Sequence, residues 1–328
     1  MPHRRSHDVF RDHQGPGFDA EFKNFTGPDP QGMSYFQFID TLQSIADGVL
    51  FGATYSLLGI GFTLVFGVMH KINLSYAAAS IGAAYASLIV LSVVKAPAIF
   101  IFLLAGLAGG IIGGVIHIVC FRFIPQANPL ATLMSTVGAL LLIDEIIVHA
   151  TVGIPVPYPA LFSDVIVNAG PFTLRGDLMF MFALGCLSML LLLGLLYRTK
   201  LGVATRAVSQ QPAAAQLCGI SILHVNGLTF VITGVVGGIA GAMIGAAIGV
   251  LSPLLSLPLT TKGLIVTVIG GLGSIPGAII AGLLVGGFEN LFQYFRGVTE
   301  RDLYVMLLLF AFLVFRPGGI FSPAAGRD

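Results

Sequence analysis

Residues 227–251 read GLTFVITGVVGGIAGAMIGAAIGVL, twenty-five consecutive positions without a charged side chain. A helix over such a stretch rises ~1.5 Å per residue and outreaches the ~30 Å hydrocarbon core of a bilayer. Working outward, no Asp, Glu, Lys or Arg occurs between Ala207 and Thr261, between Gly263 and Phe288, or between Ala96 and Phe121. Charged residues are 9% of the chain and hydrophobic ones 56%. An ordinary soluble domain carries about 25% charge, because its surface must face water. The composition excludes a soluble core of this size and points to an all-α, polytopic integral membrane bundle.

Candidate spans are 47–69, 73–94, 97–121, 130–150, 178–197, 227–251, 263–292 and 303–315, about eight in all. The seventh is interrupted by Gly273-Ser274-Ile275-Pro276-Gly277. Proline and glycine break the helical hydrogen-bond ladder, so a broken helix or re-entrant turn is expected there. Ser252-Pro253 and Leu257-Pro258 mark a second irregular stretch. Glycines recur at Gly109-Gly110, Gly113-Gly114, Gly237-Gly238, Gly241 and Gly245, spacings that let helix backbones approach closely.

Residues 1–32 differ in kind. Mixed charges with Pro and Gly, and no apolar signal-peptide core, read as a solvated, disordered tail. His3, His7 and His13 within it fit no metal-binding spacing. Residues 33–321 form the transmembrane domain, and 322–328 a short tail. Cys120, Cys186 and Cys218 are widely spaced and follow no zinc or disulfide pattern. They read as small apolar packers. A formal net charge of +1 implies no nucleic-acid partner.

Basic residues in short loops set orientation. Arg198, Lys200 and Arg206 lie without an acid in the loop 198–225, which is therefore placed in the cytoplasm. Lys71 and Arg122 fall on the same side. The 151–177 loop and the N-terminal tail then face outward, and the side of the C-terminus stays open. Within the 198–225 loop, Gln211-Pro212 opens a short helix and Gly219 fits its C-terminal cap.

These residues carry a resemblance. The loop resembles the ATPase-coupling segment of permease subunits in branched-chain amino acid ABC importers. The matching positions are Arg198, Gly202, Ala204, Arg206, Ala207, Gly219 and Ile220. GVLFGATYSLLGIGFTLVFGVM at 48–69, running into Ile72-Asn73, is a second match. GGLGSIPGA at 270–278, followed by Gly282, Gly286 and Glu289, is a third. Arg316-Pro317-Gly318-Gly319-Ile320-Phe321 is a fourth. The resemblance spans 33–321 in order. One departure stands out. After Ile-Asn the family continues toward Ala-His-Gly, whereas this chain has Leu74-Ser75-Tyr76-Ala77. A second is that acidic residues common in the family near Gln210, Gln211 and Ala213 are missing.

The resemblance implies a transport subunit working by alternating access in the bacterial inner membrane. Its partners would be two ATP-binding subunits, a periplasmic binding protein, and a second permease, homologous or identical. ATP and Mg would reside on the ATPases. None of the five lysines is followed by Ser or Thr, so the chain lacks a phosphate-binding loop and binds no cofactor of its own. No catalytic residue and no metal ligand is expected. Asn73, Ser75 and Tyr76 open a span with polar groups beside small ones. With Gly271, Ser274 and Pro276 of the break, they are the residues expected near the translocation path. Glu289 is expected to hold a helix junction or subunit contact, and Asp47 to cap the first span. Asp144 and Glu145 are costly to bury in lipid, and their placement at the outer end is favoured. An alternative is an ion-gradient-driven secondary transporter that couples through these two carboxylates.

Overall fold

A computed structural model describes residues 30–94, 97–124, 129–159, 161–162, 165–169, 172–316 and 318–321. Of the expected 1–32 tail, residues 1–29 with their histidines lie outside the described residues, as does the 322–328 segment, while 30–32 are helical. The chain divides into two compact units, 1–42 and 43–328.

With no water in a bilayer core, each backbone must satisfy its own hydrogen bonds, and helices do so. The helices are α1 (Pro30–Met69), α2 (Tyr76–Val94), α3 (Ile101–Ile116), α4 (Pro129–Thr151), α5 (Gly176–Arg198) and α6 (Lys200–Gln210). They continue with α7 (Pro212–Leu217), α8 (Ile222–Ile248), α9 (Ser256–Gly270), α10 (Ile275–Arg296) and α11 (Arg301–Phe315). Among the described residues eight helical segments are long and apolar enough to cross a membrane. The chain is therefore a multi-pass membrane protein.

The eight differ from the sequence expectation at the expected 263–292 span, while the first helix begins upstream of 47 and Leu257-Pro258, expected to be irregular, lies inside α9. The expected break at Gly273–Pro276 is present, but it is the turn of a helical hairpin. Gly271 (φ +99°) and Gly273 (φ +88°) take conformations that suit glycine, and the chain reverses. The flanking helices, 253–270 and 275–296, each count as a span. The apolar stretch 303–315 lies in α11, which has 15 residues and falls short of that length.

Connecting segments contact one another and neighbouring helices at each end of the bundle. At one end, Val156 registers with Leu251 in a two-stranded ladder, and Gln43 Nε2 donates to the Thr173 carbonyl at 3.0 Å. At the other, Lys71 Nζ donates to Thr132 Oγ1 at 3.0 Å, and Ile320 N donates to the Ile269 carbonyl at 2.8 Å. Partial burial of Lys71 holds its ammonium pKa below the usual lysine range. The second end carries Lys71, Arg122 and the basic 198–225 loop, the composition that the positive-inside rule assigns to a cytoplasmic side. The C-terminal segment through Phe321 belongs to that end.

Burial separates centre from rim. The hydrophobic windows of α1 and α8 are 78% and 67% buried, those of α4 and α5 only 22% and 28%. Glycines explain the central packing. A Cβ on Gly234 of α8 would collide with the Gly109 carbonyl of α3, and one on Gly241 with the Ser80 backbone of α2. On the other side, a Cβ on Gly48 or Gly52 of α1 would overlap the backbone of α10 at Gly286 or Gly282. Only side chains without Cβ allow these backbones to touch.

Candidate coupling site and membrane path

The cytoplasmic end is built by caps. Thr199 accepts the Gly202 N–H at 3.3 Å and starts α6. Gly202 sits against the Leu196 carbonyl so closely that a Cβ would clash with backbone. The α6 helix is pinned by its buried Thr205 and Val208. Arg206 lays its guanidinium 5.3 Å from the centroid of the Tyr197 ring, a cation–π contact. Its Nε reaches the Gly202 carbonyl at 3.4 Å.

The α7 helix starts with Pro212 in its first turn. It ends in a Schellman arrangement: Ile220 N donates to the Ala215 carbonyl at 3.0 Å and Gly219 N to that of Gln216 at 3.0 Å. Gly219 takes φ +83° there. Only Ala215 of this helix is buried, and Leu217 at its tip is 91% exposed.

The hairpin turn faces α6 across a cleft. Ser274 caps α10 by accepting the Gly277 N–H at 3.2 Å, with Pro276 in the first turn. Gly319, at φ +80°, lies against Gly271, and Phe321 N reaches the Gly270 carbonyl at 3.4 Å. The C-terminal segment therefore straps the turn. A cleft of about 450 Å³ opens between α1, α6 and the turn, lined by Thr63, Arg206, Ser274, Pro276 and Phe321 among others. Of the coupling set only Arg206 lines this cleft, where it meets Ser274 and Pro276 of the break. Arg198, Ala204 and Ala207 lie on the helices that frame it, at the end of α5 and along α6.

Asn73, Ser75 and Tyr76 lie outside it. Asn73 Oδ1 accepts from Ser75 N at 3.2 Å and from Ser75 Oγ at 2.7 Å, closing the turn into α2. Both residues are buried and serve each other. Tyr76 is buried too, its ring edge-on to Phe62 at 5.0 Å. It fills a slot that Gly61 and Gly237 leave open, since a Cβ on either would meet its ring. A phenol where the family pattern has a smaller ring thus fits a glycine-lined space.

At the outer end lies a charged cluster. Lys262 Nζ donates to Glu289 Oε1 at 2.7 Å and to Tyr55 Oη at 3.3 Å, and lies 3.2 Å from Asp302 Oδ1. Lys262 and Glu289 side chains are 7% and 6% exposed. Arg301 Nε sits 3.5 Å from Glu289 Oε1, and its Nη1 donates to Gln293 at 3.2 Å. Glu289 thus joins α9, α10 and α11. Lys262 was missed in the sequence, although it is the single charge between Ala207 and Phe288. Asp47 does not cap a helix as expected. The α1 helix begins well upstream at Pro30, which puts Asp47 in its interior. Asp144 accepts from Ser256 Oγ at 2.7 Å near the outer start of α9, and Glu145 is exposed beside His149. Both carboxylates therefore stand at the outer end, as favoured from the sequence.

A bundle with close glycine seams and eight membrane-length helices among the described residues defines a multi-pass membrane protein. The family described as "Branched-chain amino acid transport system / permease component" matches residues 44–315, and the chain belongs to it. It is 29% identical over 296 residues to the high-affinity branched-chain amino acid permease protein LivH of Escherichia coli K12, covering 87% of this chain and 96% of that protein. The BraD permease of Pseudomonas aeruginosa is also 29% identical, over 85% of this chain and 95% of its own length. Among solved structures, PsaBC from Streptococcus pneumoniae in complex with Fab aligns at 13% identity and TM-score 0.44, covering 90% of this chain and 94% of that one. That likeness is too distant to argue from. The relatives are named as permease proteins of branched-chain amino acid transport systems, and the secondary-transporter alternative is not favoured.

Proposed function

We propose that this chain is the membrane permease subunit of an ATP-binding-cassette importer that carries branched-chain or related amino acids across the bacterial inner membrane. The observation that carries the reading is the α6–α7 protrusion beside the hairpin turn. It is rigid, capped at both ends and tipped by an exposed Leu217. Two ATPase subunits would hold ATP and Mg and grip α7. Their closure would push α6 against the Ser274–Pro276 turn and change the cytoplasmic opening of the bundle. This chain performs no covalent chemistry in the cycle. A second permease, identical or homologous, would complete the membrane pair, and a periplasmic binding protein would deliver cargo to the outer end.

The names of the relatives support the amino-acid class, and the Leu74–Ala77 departure leaves room for a different side chain within it. Co-purification tests the assembly. The tagged permease, co-expressed with the ATPases of a branched-chain amino acid transport system from the same cell, should retain them in detergent. Leu217→Asp should release them while the permease itself elutes unchanged. Equal retention by the variant would show that α7 is not the grip.

A further inference from the structure

At the outer end a cavity of about 310 Å³ is lined by Asp47, Arg175, Glu289, Asn290, Gln293 and Arg301 together with apolar neighbours. Small-molecule sites begin at about this volume. Glu289 is 5% exposed, and its Oε2 is buried without a hydrogen-bond partner, while Oε1 takes Lys262. Asp47 Oδ1 is likewise buried and unpartnered. Buried carboxylate oxygens without donors are unfavourable and call for a partner. Asp47 and Glu289 both line this cavity, and each keeps one carboxylate oxygen that meets neither solvent nor a donor.

The charges around it do not cancel. Asp47, Asp177, Glu289 and Asp302 contribute four carboxylates, against Arg175, Lys262 and Arg301. Arg175 is committed to Asp177 by two contacts, at 3.2 and 2.5 Å. Arg301 keeps guanidinium hydrogens beyond its Gln293 bond, and a planar guanidinium suits a carboxylate.

We propose that this cavity receives the head of an amino acid zwitterion. Its ammonium sits against the carboxylates of Glu289 and Asp47, and its carboxylate meets Arg301. The apolar wall formed by Phe51, Leu178, Ala247 and Ile248 takes the side chain. An ammonium supplies three donors to two carboxylates, each with an oxygen that lacks one. The site faces the end at which a binding protein would release cargo. The inference rests on the amino-acid import reading and deepens it.

The test is equilibrium binding of tritiated leucine to the full-length permease, with its partner subunits, in nanodiscs. Asp47→Asn is the first variant, because no hydrogen bond or ion pair among the described residues involves the Asp47 carboxylate. Glu289→Gln is the second, and Asp47→Asn alone decides if that one misfolds. Leucine binding is expected to weaken at least ~10-fold in Asp47→Asn. The amine 3-methylbutylamine should displace leucine, and 4-methylpentanoate, which lacks the ammonium, should do so far less. Undiminished binding in Asp47→Asn, or displacement by the acid but not the amine, or displacement by sodium chloride beyond that by choline chloride, overturns the site while ATP-driven leucine uptake by the wild type leaves the import reading intact. Absence of both uptake and binding in the wild type overturns the import reading and the site with it.

Discussion

The two ends of the bundle are held by different kinds of interaction. At the outer end, Lys262, Glu289, Tyr55, Arg301 and Asp302 knit α1, α9, α10 and α11 through buried charge. At the cytoplasmic end the cleft between α1, α6 and the hairpin turn is framed by helix caps, glycine contacts and one cation–π stack. Breaking a buried ion pair by removing one partner costs about 3–5 kcal/mol, whereas an exposed cation–π contact contributes ~0.5–1 kcal/mol. A push from the cytoplasm therefore meets its least resistance where the coupling element sits. The outer end is the anchored one.

The contrast can be broken most forcefully at the anchor. Glu289→Leu leaves Lys262 buried with only Tyr55 and the half-exposed Asp302, and should destabilise the fold by about 3–5 kcal/mol. Thermal unfolding in detergent reads this as a fall in midpoint. The double variant Lys262→Met with Glu289→Leu should recover most of it, because no lone charge remains. If the single variant unfolds like wild type, the outer end is not the anchor.

Gly219→Val should act next. Its φ of +83° is strained for a β-branched residue, by ~1–2 kcal/mol. The loss should be confined to α7, with ATPase retention reduced and the global midpoint held. A global shift would mean that α7 is integral to the bundle rather than a protruding handle. Arg206→Ala, which deletes the stack on Tyr197, should cost only ~0.5–1 kcal/mol in stability yet abolish coupled uptake. Glu145→Gln is the smallest change. Glu145 is 66% exposed, so stability should move by less than about 0.5 kcal/mol and uptake should persist. Abolished uptake there would revive coupling through the outer carboxylates.

The membrane bundle was legible in the sequence because its charge-free runs exceed any soluble requirement, and the cytoplasmic loop because lysine and arginine gather there without acids. The hairpin was harder. Gly273-Ser274-Ile275-Pro276-Gly277 breaks a helix, but a kink, a re-entrant loop and a reversal share that composition. What distinguishes them is the pairing of Lys262 with Glu289, which lie far apart along any single helix and meet only when the chain turns back. Asp47 misled because a charge beside an apolar run looks like a boundary, while α1 continues through it. Asn73 and Ser75 attracted a path reading through polarity alone. The same residue types close helix-initiating turns, and periodicity does not separate the two uses. The coupling segment showed itself through Pro212 and Gly219, whose backbone preferences fix a short helix between two spans. Its neighbour, the Ser274–Pro276 turn, could be placed beside it only in three dimensions.

The most direct test of the ATP-driven account is uptake of tritiated leucine into proteoliposomes. They would hold this permease, its partner permease and two ATPases, with binding protein outside and ATP in the lumen. The account predicts uptake that requires ATP, disappears with Arg206→Ala and survives Glu145→Gln. Uptake that proceeds without the ATPases and follows a proton or sodium gradient would contradict it.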